Sequence, residues 1–324
     1  MGDLFNRDGK NIKTIQAING PYQVDGSSSF YMPRNIKRFP RTTEWNVKLN
    51  NSDVLQKFIK RWILTGYEPD NKKFDSTSNI FTMGSCFATN IANAIEERRE
   101  KNNEENGYSM LLHTPSSVNN TFGIEQFFRW ALTGEISEQS YWHEGDSSKW
   151  MPSSQQTEYK KWLKESDGFV FTFGLSEIWK DLETDKVFWR AIPSDLYNQN
   201  KLRYKFDLST VDENTTNIKN LIDLIREHVG DVPIILTVSP VPLKATFRDI
   251  SCISANSVSK AILMLAVDNV ISSEHPNVFY WPSYEVFKEL PPHVNDSSFD
   301  DTIRHPKSGV VRAVINTFFS TYFK

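Results

Sequence analysis

Residues 79–95, NIFTMGSCFATNIANAI, change periodicity in the middle. Asn79 to Met83 is a short β-prone run closed by Gly84. The next segment places Ala88, Ile91, Ala92 and Ile95 at the i, i+3, i+4, i+7 spacing of a helix face. A strand that turns at a glycine into a helix is the opening half of a βαβ unit. The turn between them carries Ser85 and Cys86.

The same alternation continues outward. Tyr108 to His113 reads as a second strand, and Ile124 to Leu132 as a helix rich in Phe and Trp. Gly168 to Phe173 (GFVFTF) and Pro233 to Ser239 (PIILTVS) are near-continuous apolar runs, the pattern of strands buried on both faces. Val278 to Trp281 is the fifth strand. Helices are marked by Ile218, Leu221, Ile222 and Ile225, then by Val258, Ala261, Ile262 and Leu265. The last is marked by Val311, Val314, Ile315 and Phe318. Strands separated by helices in this rhythm predict a parallel sheet between two helix layers, a three-layer α/β/α fold of flavodoxin-like type. Residues 1–78 are read as an N-terminal extension packed on the domain, with one helix over Ser52–Leu64. Residues 79–324 form the α/β domain, with a hairpin and loop inserted at about 180–212 around the turn Glu183-Thr184-Asp185. Residues 141–157 read as a polar loop.

Composition excludes several classes of function. The formal net charge is -3, and no basic run appears, which argues against nucleic acid or an anionic membrane as partner. Two cysteines, Cys86 and Cys252, make neither a disulfide framework nor a CxxC site. His143, His228, His275 and His293 show no metal-ligand spacing, so neither metal nor cofactor is expected. The longest apolar run, Ala261 to Val267, is too short to span a bilayer. Met1 to Asn6 has no apolar leader core, so a cytoplasmic setting with free thiols is expected. Cys252, in a segment read as loop, is taken as structural.

In open parallel sheets ligands bind beyond the carboxyl ends of the strands. Cys86 has that position, at the start of a helix. There the positive end of the dipole and unpaired N–H groups favour thiolate and can hold an oxyanion. A lone cysteine at such a turn is also a suitable small packing residue, and spacing alone does not decide between the two.

Gly84-Ser85-Cys86-Phe87-Ala88 resembles the signature of the GSCFA-domain family, itself similar to the SGNH, or GDSL-like, hydrolases. Further blocks come in the family's order: Gly174-Leu175-Ser176-Glu177-Ile178-Trp179, Thr237-Val238-Ser239-Pro240-Val241-Pro242, Asn256 with Ser259-Lys260, Trp281-Pro282-Ser283-Tyr284-Glu285, and Arg304-His305-Pro306. The resemblance implies that Cys86 takes the nucleophile position, with Ser85 where those hydrolases carry Asp and His305 as general base. Asp301 is the candidate third member. It stands four residues before His305 rather than three, and position 302 is a threonine. Ser176 and Glu177 stand where the hydrolases have Asn and Asp. Ser176 is then a weaker oxyanion donor, and Glu177 a residue for a substrate hydroxyl, for pairing with Lys260 or Arg304, or simply for fixing the loop. His113 at a strand end, Asn119 in the following loop as a second oxyanion donor, and Asn256 and Lys260 at a helix start complete the expected substrate-binding set, with Gly174 and Arg304. The implied activity is acyl transfer through Cys86: ester or thioester hydrolysis, or O-acyl transfer. The substrate would be a small molecule or an acylated glycan, with a coenzyme A thioester as one donor. Two alternatives stay open, a binding protein on the same fold without catalysis and attack by Ser85 instead of Cys86.

Overall fold

The structure is a computed structural model. It describes residues 4–5, 11–12, 20–24, 28–32, 52–101, 110–111, 118–135, 153–189, 192, 194–273, 275–290 and 307–324. The chain divides into two units, residues 1–45 and 46–324. In the first, β1 (Leu4–Phe5) pairs antiparallel with β2 (Asn11–Ile12), and β3 (Gly20–Val24) with β4 (Ser28–Met32).

The second unit starts with α1 (Ser52–Phe58), which runs on through a π-helical turn at Ile59–Ile63. The expected boundary at 78/79 therefore falls inside this unit. Phe74 bridges to Phe323, and the N–H groups of Lys73 and Phe74 donate to the Tyr322 carbonyl. The alternating segments continue as β5 (Ile80–Gly84), α2 (Cys86–Lys101), β6 (Met110–Leu111), α3 (Thr121–Thr133), α4 (Ser153–Lys164) and β7 (Gly168–Phe173). Next come β8 (Glu177–Asp181), β9 (Lys186–Val187), α5 (Ser194–Gln199), β10 (Tyr204–Leu208), α6 (Val211–His228) and β11 (Ile234–Val238). The chain ends with α7 (Cys252–Ser272), β12 (Val278–Tyr280), α8 (Ser283–Lys288) and α9 (Ser308–Tyr322).

The main sheet has the order β12-β11-β7-β5-β6, every pair parallel. Phe81, Phe169, Phe171, Phe173, Ile235 and Leu236 are completely buried in it, as strands covered on both faces require. From β6 the chain steps back across the sheet to β7, β11 and β12, whereas β5 to β6 runs the other way. Right-handed crossovers then put α3, α6 and α7 on one face and α2 on the other. The contacts agree: α3 packs on α6 and α6 on α7, while α9 packs on both α1 and α2. The chain reverses between β5 and β7, so a crevice opens at their carboxyl ends.

Three expectations need correction. The segment 141–157 is not loop throughout, because α4 begins at Ser153. Its few apolar residues suffice, since Tyr159 packs edge-on against Phe127 and Trp130 of α3. The insertion begins earlier than 180 and is a three-stranded antiparallel sheet, β10-β8-β9, rather than a hairpin. Asp181, fully buried at its centre, is held by the Arg203 guanidinium at 2.7 Å. The expected turn is present, with Asp185 at φ 58°. Cys252 opens α7 instead of lying in a loop. Ser251 caps that helix by accepting from Ser254 N–H, so Asn256 and Lys260 lie in its second and third turns.

Candidate active site

The carboxyl ends of β5 and β7 are built against each other. Gly84 has φ 129°, a conformation that side chains disfavour, and a Cβ there would stand 2.1 Å from the Thr172 carbonyl oxygen. Only glycine lets the β5 backbone pass so close to β7. Ser85 N–H donates to that same carbonyl at 3.1 Å, which carries the strand pairing one residue further before the chain turns. Ser85 is buried. Its carbonyl accepts from Ala88 N–H at 2.8 Å and its hydroxyl from Phe87 N–H at 3.3 Å. Cys86 is thus the first residue of α2, and its N–H lies outside the intrahelical ladder. Ser85 acts as the cap of the helix and not as a free acid equivalent.

One strand along, the β7–β8 loop is tied at nearly every peptide. The N–H groups of Gly174 and Leu175 donate to the Asn119 carbonyl at 2.6 and 3.3 Å. The Gly174 carbonyl accepts from Lys260 Nζ at 2.8 Å. Ser176 N–H donates to Ser259 Oγ at 3.0 Å, and the Ser176 hydroxyl is bonded to the hydroxyl and carbonyl of Ser259. Ser209 closes the loop by donating N–H and hydroxyl to the Ser176 carbonyl, both at 2.8 Å. Ser176 has no exposed surface. Its expected role as an oxyanion donor is therefore corrected: the hydroxyl is used to fasten the loop to α7.

Lys260 is 1% exposed, and no carboxylate pairs with it among the described residues. Burial, with the charge of Lys288 adding to it, lowers its pKa to about 7. It is not the anion-binding lysine of a helix start but an interior donor to the Gly174 carbonyl. Asn256 likewise serves the protein, its Oδ1 accepting from Leu243 N–H at 3.0 Å. Glu177 accepts from Thr246 Oγ1 at 2.9 Å. Burial raises its pKa, against the opposing effects of the Thr246 bond and Arg248. The expected pairing with Lys260 is replaced by these two neighbours. At the far edge, Tyr280 donates to both oxygens of Glu285, whose pKa burial raises to about 7.

Of the two asparagines before α3, Asn120 is consumed as its cap, accepting from Gly123 N–H at 2.7 Å and donating to the Trp189 carbonyl. Asn119 is different. Its backbone carbonyl anchors the β7–β8 loop, yet its Oδ1 is buried without a hydrogen-bond partner among the described residues. Gly174 leaves room for it, since a Cβ at 174 would meet the Asn119 amide nitrogen at 3.1 Å. A buried amide oxygen left unpaired can be satisfied by a hydrogen-bond donor.

The candidates His113, Asp301, Arg304 and His305, and the side chain of Cys86, lie outside the described residues. The helix that comes after the histidine block is described. α9 and α2 run in the same direction, since Arg98 in the later half of α2 donates to Asn316 at 3.0 Å and stacks over Phe319 in the later half of α9. Their N-termini, one beginning at Cys86 and the other at Ser308, accordingly lie at the same end. Thr172 and Thr246 shape the site without a sequence signal of their own, and Ser259, quoted in a family block, has its role only through a contact distant in the chain.

These features define a three-layer α/β protein with a capped strand-to-helix turn at the reversal point of its sheet. Residues 79–318 match the model of the GSCFA family, and the chain belongs to that family. No curated protein matches it. Among solved structures it is similar to the salicylyl-acyltransferase SsfX3 from a tetracycline biosynthetic pathway, with 12% identity and a TM-score of 0.34 over 78% of this chain and 55% of that one. It is also similar to a carbohydrate esterase family 3 protein from Talaromyces cellulolyticus, with 11% identity and a TM-score of 0.32 over 74% and 94%. The chain thus spans just over half the length of the acyltransferase. Likeness at this level carries no argument about activity. Among the described residues no helix is long and apolar enough to cross a membrane.

Proposed function

We propose that the chain is an acyl-transfer enzyme, an ester or thioester hydrolase or O-acyltransferase, in which Cys86 is the nucleophile and His305 its base. The observation that carries this reading is the turn itself: Gly84 pressed on Thr172, Ser85 capping, and Cys86 at the open N-terminus of α2 beside the sheet's reversal point. The shared direction of α2 and α9 supports the pairing, because only three residues, at most roughly 10 Å of backbone, separate His305 from Ser308. The thiolate attacks the acyl carbonyl while the imidazole holds the thiol proton. The N–H of Cys86 and the amide of Asn119 stabilise the oxyanion. The protonated imidazole then delivers the proton to the leaving oxygen or sulfur. Water or an acceptor hydroxyl, deprotonated by the same imidazole, releases the acyl group from Cys86. Asp301 orients the imidazole.

Turnover of p-nitrophenyl esters tests the assignment. Cys86→Ala and His305→Ala should each lower kcat by about 10³-fold or more, with little added loss in the double variant. Ser85→Ala should lower stability but keep turnover. Full turnover by Cys86→Ala, or its loss in Ser85→Ala with the fold intact, would reject Cys86 as nucleophile.

A further inference from the structure

A groove of about 910 Å³ runs between α2 and α9. Its walls are two matched helical stripes, positions 90, 93, 94, 97 and 98 on α2 and 308, 311, 312, 315 and 316 on α9. Each repeats as i, i+3, i+4, i+7, i+8. Extended back one turn, the α2 stripe reaches position 86, so the groove leads away from the nucleophile turn along the helix that Cys86 begins.

Its chemistry is weighted toward hydrogen-bond donors and positive charge. Arg98 and Arg312 line it with the amides of Asn90, Asn93 and Asn316, against one carboxylate, the exposed Glu97. Among the described residues neither arginine has a carboxylate partner. Arg98 is held by Asn316 and by the Phe319 ring, 3.8 Å from its guanidinium carbon, and desolvation lowers its pKa. An exposed guanidinium held by an amide and an aromatic face, with no carboxylate on it among the described residues, is suited to a phosphate oxygen. The groove is lined at one end by Ser308, where α9 starts with no side-chain cap among the described residues and with free space around Gly309.

We propose that this groove binds the diphosphate-bearing portion of an acyl carrier, with its reactive end directed toward Cys86. The proposal rests on the reading of Cys86 as the acyl-accepting centre. Cys86 and Arg98 are twelve residues apart on one helix, roughly 18 Å of rise, a span that the extended arm of a pantetheine thioester covers. A ligand so placed is anchored by its phosphates at one end and presents a carbonyl at the other.

Calorimetric titration of the Cys86→Ala protein separates binding from chemistry. Coenzyme A is the probe, with UDP-glucose as a diphosphate from another source and citrate as a plain polyanion. Coenzyme A should bind at least tenfold more tightly than either, and weaken steeply with salt. Arg312→Gln, at an exposed position where folding is not at risk, should raise its Kd about tenfold. Arg98→Gln with Arg312→Gln should abolish binding while circular dichroism stays unchanged. Failure of coenzyme A to bind, preference for UDP-glucose, equal binding of citrate, or indifference to Arg312→Gln would each overturn the proposal. If an ester acylates Cys86 while coenzyme A does not bind, the groove assignment alone fails. If coenzyme A binds but no ester acylates Cys86, the catalytic reading fails instead.

Discussion

The β5–α2 turn and the β7–β8 loop leave neighbouring parallel strands at the same end of the sheet and meet the same crevice. The first ends in a helix N-terminus whose leading N–H has no place in the helix ladder. The second has its backbone groups bonded to Asn119, Ser209, Ser259 and Lys260, fastening it to α7 and to the segment before α3. Two loops equal in topology thus differ in what they leave available. One leaves a backbone donor open, and the other holds a neighbour still. Asn119 belongs to the second loop through its carbonyl, and in the proposed mechanism its side chain serves the first.

That contrast can be broken at graded cost. Gly84→Ala should have the largest effect. A Cβ in contact with the Thr172 carbonyl at φ 129° forces β5 from β7. A loss of about 2–4 kcal/mol in denaturant unfolding, together with loss of activity, is expected. Asn119→Ala should separate site from scaffold. Its backbone bonds survive, so ester turnover should fall about 10²-fold or more at near-constant stability. The parallel change Ser176→Ala should cost about 1 kcal/mol in stability and leave turnover alone. If the two substitutions change places, the division of labour between the loops is wrong.

Lys260 gives a subtler, pH-dependent signal. Its folded pKa, about 7, is below the ordinary value of 10.5. Between these values the unfolded chain binds the proton more readily, so this group's contribution to unfolding free energy rises with pH across about 7 to 10.5. Lys260→Met should flatten that part of the stability profile relative to wild type. An unchanged slope would mean that the buried amine does not titrate there.

Much of the fold was legible because its strands are extreme. Residues 168–173 and 234–238 are apolar at nearly every position, which only a doubly covered parallel strand tolerates. The glycine before Ser85 marked the strand end, and the switch to helical spacing at Ala88 marked α2. By contrast, α4 was hidden because a polar helix needs only Tyr159 and Leu163 to dock. The β10-β8-β9 sheet was hidden because Asp181 and Arg203 neutralise each other across strands, a pairing that local pattern does not encode. In the site, the switch of periodicity correctly placed Cys86 at the start of α2. Position misassigned Ser176, Lys260 and Asn256, whose polar atoms are turned inward by contacts 83, 86 and 13 residues away along the chain. Residue type alone does not reveal whether a polar atom has already found its partner.

The central claim is that Cys86 carries an acyl group. Intact-protein and peptide mass spectrometry after brief mixing with an activated acyl ester at neutral pH measures this directly. One acyl unit on the peptide containing Cys86, removed by hydroxylamine and absent in Cys86→Ala, is the predicted result. An unmodified wild-type protein, or an adduct that maps to Ser85 or persists in Cys86→Ala, would contradict it.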